Sequence, residues 1–211
     1  MPTLLVIEVS PRLEQSTSRK LAARFIEHWT AANPNGTVVV RDLVRTRLPF
    51  VDLPWIEGAF TPAETHSPES VAAIKISNEL VAELQAADRI LIATPMFNFS
   101  IPAMLKAYID HIVRVGVTVS TSNEGLLKNK TADIILASGG DFSAGSPVQK
   151  YDQASGYLRQ VFAWIGITDV NIILAARARS GANGETAIES YGAVIAAAAA
   201  FDRAAQAAVA A

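Results

Sequence analysis

Apolar residues in this chain fall into two rhythms, continuous runs and runs spaced by three or four, and the two rhythms alternate. Continuous apolar stretches centre on residues 4–7, 37–40, 88–94, 132–137 and 170–174. Strands buried on both faces read this way, because neither face calls for polar residues. Leu21, Ala22, Phe25, Ile26 and Trp29 recur at helical spacing and predict a helix over 18–32, ended by the turn residues Asn33-Pro34-Asn35-Gly36. Ser67-Pro68-Glu69 opens a second helix, with Pro at its first position and Glu in its first turn. Val71, Ile74, Val81 and Leu84 are expected on its apolar face. Further helices are predicted over 102–115 with Gly116 as C-cap, around Leu158, Val161, Phe162 and Ile165 with Gly166 as terminator, and from about residue 184 onward.

This alternation predicts an α/β fold. Its five-stranded parallel sheet carries helices on both faces and right-handed crossovers. A central first strand gives the flavodoxin-like order 2-1-3-4-5. No linker or repeat interrupts the pattern, so one domain over 1–211 is expected. Two stretches break the rhythm. Residues 43–68 read as a long, irregular, proline-punctuated loop. It carries Leu48, Phe50, Leu53, Trp55, Ile56 and Phe60, enough apolar surface to pack on something, and loops of this length are usually functional. Residues 117–130 read as a polar excursion.

Composition narrows the chemistry. Hydrophobic residues make up 50% of the 211 and charged residues 18%, which suits a globular chain rather than a disordered one. A net charge of -2, with no Lys/Arg run, offers no basic surface for nucleic acid. With no cysteine, disulfides, thiol catalysis and thiolate metal sites are excluded. His28, His66 and His111 are scattered, so no metal site is expected. The first ten residues lack a basic leader and are broken by Glu8, so they read as a strand rather than a signal peptide. No apolar run reaches the roughly 18 residues of a membrane span, and a cytoplasmic protein is expected.

Three stretches that follow strands carry unusual chemistry. Residues 10–18 hold Ser10, Ser16, Thr17 and Ser18 at a helix N-terminus, where free N–H groups and the helix dipole favour an anion. The same hydroxyls also serve as ordinary caps. Residues 95–102 place Met96, Phe97, Asn98 and Phe99 between two prolines, as a wall for a flat ring or as a lid on the core. Residues 137–141, with Ala137, Ser138, Gly139 and Gly140, allow close backbone approach or form a simple turn. In the order 2-1-3-4-5 the three loops converge on one crevice. No dinucleotide-type glycine fingerprint or P-loop is present. A flat ring, a linker and a single phosphate describe flavin mononucleotide (FMN).

The chain resembles the FMN-dependent NADH:quinone oxidoreductases, also called azoreductases. The resemblance rests on Ser10 with Ser16-Thr17-Ser18, on Pro95-Met96-Phe97-Asn98-Phe99 with Leu105-Lys106-Ala107-Tyr108, and on Arg114-Val115-Gly116-Val117-Thr118. Ser138-Gly139-Gly140 and Gly166-Ile167-Thr168-Asp169-Val170 complete it. It implies that Ser10 and Ser16 to Ser18 hold the FMN phosphate, that Met96 to Phe99 line the ring, and that Ala137 to Gly140 meet its far edge. It also implies a homodimer, for which Phe50, Trp55 and Phe60 are candidate contacts. The family usually has Tyr at the position of Phe97 and often Ser at that of Ala137. It commonly has aromatics where this chain has Val119-Ser120-Thr121, in a region that shapes the substrate cavity.

The resemblance further implies a ping-pong cycle. NADH or NADPH delivers a hydride to the flavin and leaves, and a quinone or azo compound then takes its place and is reduced by two electrons. Because the cofactor carries the chemistry, no acid–base residue is expected. His111 is read as a surface or interface residue. The rival readings are an FMN-binding electron carrier without NAD(P)H activity and a receiver-type signalling domain. A carrier is expected to be more acidic than this chain. A receiver needs an acidic cluster after the first strand, where Glu8 stands alone.

Overall fold

The computed structural model describes residues 1–178 and 182–200. Five parallel strands form one sheet in the order β2-β1-β3-β4-β5. They are β1 (Thr3–Glu8), β2 (Thr37–Asp42), β3 (Arg89–Pro95), β4 (Thr131–Ala137) and β5 (Asp169–Ala175). Leu4 to Ile7 and Ile90 to Ala93 are fully buried because helices cover both faces of the central strands. The predicted fold class and strand order are thus observed.

One face is covered by α1 (Thr17–Ala32) and α7 (Ala182–Ala200). There Leu21, Phe25 and Trp29 pack with Leu4, Val6, Leu91 and Ile195. The other face carries α4 (Pro68–Ala86), α5 (Ala103–Ile112) and α6 (Ala154–Trp164), whose Leu80, Leu84, Tyr108, Ile112, Leu158 and Phe162 meet Leu5, Ile7, Ile90 and Ile134. Fully burying each such side chain contributes roughly 1.5–3 kcal/mol. Ser67 caps α4 by accepting from Ser70 N–H, as its sequence signals. The part of the tail helix expected beyond residue 200 lies outside the described residues. Among those residues, no helix is long and apolar enough to cross a membrane.

Four expectations are corrected. The stretch after β2 is not irregular: it holds α2 (Leu43–Thr46) and α3 (Leu53–Phe60), each capped by an aspartate, Asp42 and Asp52. Both helices are too short to show a period. On α4, Val71 is 54% exposed, and Ser70 and Ser77 are buried in its place, because α3 and α5 crowd this face. Helix α5 stops at Ile112 with Val113 as C-cap. Gly116, at φ 81°, serves the following turn, where its N–H donates to Val119 O. Finally, the excursion at 117–130 is polar only in part, since Val119 and Leu127 are buried in the core.

Candidate functional site

The first loop gathers the donors that an anion cradle needs. The Val9 N–H donates to Ala93 O, carrying the β1–β3 ladder one residue past the strand and bringing Ser10 in, buried. Ser16 caps α1, its Oγ accepting from Arg19 N–H at 3.4 Å and lying 3.0 Å from the Ser18 hydroxyl. Ser16, Thr17 and Ser18 are all buried. Thr17 and Ser18 are the first two helical residues, so their N–H groups have no intrahelical acceptor. Neither finds another among the described residues. Free donors, hydroxyls and the positive end of a 16-residue helix therefore coincide.

Arg19 adds no free charge to these donors. Its Nε donates to Ser10 O at 3.0 Å, and its guanidinium is held by Asp42 at 2.8 and 2.9 Å and by Glu8. Two carboxylates therefore neutralise it, and it braces the loop from behind. Burial alone would raise the Asp42 carboxyl, but hydrogen bonds from Arg19 and from Val44 N–H outweigh it and hold Asp42 below its ordinary value.

The second loop is a tight hairpin under backbone strain. Met96 N–H donates to Ala137 O at 2.8 Å, and Phe97 and Ser100 exchange two backbone hydrogen bonds of 2.9 and 3.0 Å. Between them Asn98 and Phe99 have φ values of 48° and 71°. Two positive-φ residues in a two-residue turn favour Asn-Gly. Asn98 fits that rule and Phe99 breaks it, at about 1–2 kcal/mol for an L residue held left-handed. Its surroundings impose the conformation. Phe99 O accepts from Gln153 N–H at 3.0 Å, and its ring lies 6.3 Å from Phe142 and 5.6 Å from Tyr151. Phe97 and Phe99 remain 42% and 51% exposed, so they do not seal the core. Strained backbone of this kind clusters at ligand clamps and active sites, which makes this loop a candidate.

The third loop turns its polar side chain inward. Ser138 is buried, and its Oγ donates to Gly140 O at 2.7 Å. What this loop offers outward is therefore backbone. A Cβ on Gly140 would meet the Phe142 ring at 3.1 Å, so the residue also makes room for that ring. The loops are tied together: Ala178 N–H donates to Ser138 O at 2.8 Å, and Ala178 O accepts from Thr17 Oγ1 at 3.2 Å. Hydroxyls, aromatics and glycines thus share one edge of the sheet. Arg19, Ala178, Phe142, Tyr151 and Gln153, which organise that edge, carried no local sequence signal.

Two other expectations fail. His111 is 1% exposed rather than on the surface. Its Nδ1 accepts from Trp55 Nε1–H at 3.0 Å, which assigns the proton to Nε2, 3.0 Å from Pro49 O. Trp55, expected as a subunit contact, is consequently buried at 5%, while Phe50 and Phe60 are exposed.

A fold of this order with such loops at its carboxyl edge is that of the flavodoxin-like proteins, and the model of the flavodoxin-like fold matches residues 2–198. An FMN-dependent NADH:quinone oxidoreductase from Burkholderia lata is 48% identical over 185 residues, covering 88% of each chain. One from Nostoc punctiforme is 47% identical over 199 residues, covering 90% of this chain and 97% of its own. The crystal structure of an azoreductase from Bacillus anthracis superposes with a TM-score of 0.84 at 26% identity, covering 95% of this chain and 99% of the other. The chain belongs to the FMN-dependent NADH:quinone oxidoreductase family and is an oxidoreductase.

Proposed function

We propose that this chain binds FMN at the carboxyl edge of β1, β3 and β4 and passes two electrons from NADH or NADPH to quinones and aromatic azo compounds in a ping-pong cycle. The observation that carries the reading is the Thr17–Ala178–Ser138 tie. It joins the buried hydroxyl cluster to the glycine turn, and Met96 N–H, donating to Ala137 O, joins the strained aromatic hairpin to the same edge. That donor set fits the cofactor: unpaired N–H groups and hydroxyls suit a phosphate, and half-exposed aromatics beside a backbone wall suit a flat ring. When bound, the flavin supplies the two-electron chemistry. Ser10, Ser16, Thr17 and Ser18 hold the phosphate, Met96 to Phe99 form one wall, and Ala137 to Gly140 meet the far edge of the ring, where Ser138 N–H is taken by Ala175 O and the Gly139 and Gly140 N–H groups are the donors left. Phe97 cannot supply the hydroxyl that Tyr supplies elsewhere in the family. No side chain is assigned as acid or base, and buried His111 is structural.

The chain acts as one domain, in the cytoplasm, and as a homodimer. Phe50, Leu53, Ile56 and Phe60, all exposed around α3, are the apolar surface available for that contact. The relatives' names are those of enzymes, which disfavours the carrier reading. Steady-state oxidation of NADH by a soluble quinone tests the proposal. Parallel double-reciprocal lines without any protein partner are expected. Turnover only on addition of a redox protein would refute it.

A further inference from the structure

Arg114 follows α5, no residue lining its cavity belongs to the three loops of the candidate flavin edge, and its surroundings are unusual for a buried cation. It is 8% exposed. Its Nη1 donates to Asn78 Oδ1 at 2.6 Å and weakly to Ser77 Oγ at 3.4 Å. Its Nε has no hydrogen-bond partner, and among the described residues no carboxylate pairs with it. A buried guanidinium normally has an acidic partner, because leaving a charge unpaired out of water costs several kcal/mol. Burial here disfavours the charged form. The backbone of Arg114 is pinned, its N–H donating to Thr118 Oγ1 at 2.9 Å and its carbonyl accepting from the Thr118 and Val119 N–H groups. The side chain is therefore held where it is by a fixed turn.

The guanidinium lines a cavity of about 680 Å³ between α3 and the first half of α4. Lys75 and His66 line the same cavity, and no Asp or Glu does. Ile74 and Val71 supply an apolar wall, Val71 being more than half exposed. The cavity thus pairs an unneutralised, desolvated fork donor and a second cation with a greasy side. Volumes of this size hold small organic ligands, and a planar guanidinium matches a planar carboxylate.

We propose that this cavity is a binding site for a small organic carboxylate with an apolar body, separate from the flavin edge and anchored on Arg114. Its carboxylate neutralises the guanidinium from the cavity side, Lys75 adds charge at the mouth, and the apolar body lies along Ile74 and Val71.

Calorimetric titration of the purified protein with benzoate tests it, with inorganic phosphate run in parallel. One-to-one saturable binding of benzoate is expected, weakened at least tenfold by Arg114→Gln and by Val71→Trp, which fills the opening. A loss of roughly threefold is expected for Lys75→Ala. Val71 and Lys75 are exposed, so those two variants decide the matter if Arg114→Gln does not fold. Absence of saturable benzoate binding overturns the proposal. So does benzoate binding that Val71→Trp and Lys75→Ala leave unchanged, or binding of phosphate with benzoate rejected. None of these readouts depends on flavin or on turnover.

Discussion

Thr17 and Ala178 stand 161 positions apart in sequence, yet the Thr17 hydroxyl donates to the Ala178 carbonyl. Through Ala178 N–H, which donates to Ser138 O, the same link reaches the loop after β4. Thr17→Val keeps the size of the side chain and removes the donor. A hydrogen bond contributes about 0.5–1.5 kcal/mol net, so FMN affinity is expected to fall roughly three- to tenfold, read by quenching of FMN fluorescence. An unchanged affinity would mean that the tie does not hold the cradle in shape.

The strain at Phe99 makes a separate prediction. In Phe99→Gly the left-handed backbone becomes strain-free, a gain of about 1–2 kcal/mol. That gain offsets the lost ring contacts with Phe142 and Tyr151, worth about 0.5–1.5 kcal/mol each. Thermal stability is expected to stay within a few degrees while FMN affinity and quinone turnover fall. A variant as active as the parent would show that the aromatic ring is dispensable.

His111 tests the division between structure and chemistry. His111→Ala leaves Trp55 Nε1 and Pro49 O unsatisfied in the interior, at roughly 1–3 kcal/mol for each group. The urea midpoint should drop clearly, whereas turnover per bound flavin should change less than about threefold. A loss of several hundredfold with flavin retained would assign His111 a catalytic part.

Acid stability follows from Asp42. Its folded pKa lies below the ordinary 3.8, so its contribution is complete at neutral pH and is lost as pH falls through the folded value, below about 4. Asp42→Asn should cost roughly 1–3 kcal/mol at neutral pH and flatten the decline in stability below pH 4, measured by urea unfolding across pH. An equally steep acid decline in the variant would contradict this.

The backbones of Gly125 and Gly166 meet directly. A Cβ at Gly125 would stand 2.1 Å from Gly166 N, and Gly166 itself has φ 105°. Neither backbone can move aside cheaply, so Gly125→Ala is expected to cost about 3 kcal/mol or more, seen as a large fall in melting temperature.

These cases show what the sequence disclosed and what it hid. The five strands were legible because central parallel strands are apolar on both faces. Long helices such as α1 were legible because eleven or more residues display a period. Gly166 was legible as a terminator, but its contact with Gly125 was not, since nothing local marks a meeting of two backbones. Helices α2 and α3 were hidden by shortness. Trp55 and His111 look like surface or interface residues until α3 packs on α4 and brings Trp55 to His111, where Trp55 Nε1–H finds its acceptor. Ser10, Ser16, Thr17 and Ser18 were visible as a polar cluster beside a helix start. The partners that bring the three loops together, Ala178, Phe142 and Tyr151, come from distant segments. Arg114 stood inside a motif already noticed, but its lack of an acidic partner is visible only in three dimensions.

The edge formed by residues 10–18, 95–102 and 137–141 is proposed to hold a flavin that cycles between NADH and a quinone. The direct measurement is the visible absorption spectrum of the purified protein after equilibration with FMN and gel filtration. Retained yellow absorbance, bleached anaerobically by NADH and restored by a quinone, is the predicted result. A colourless protein that retains no added FMN would contradict the account.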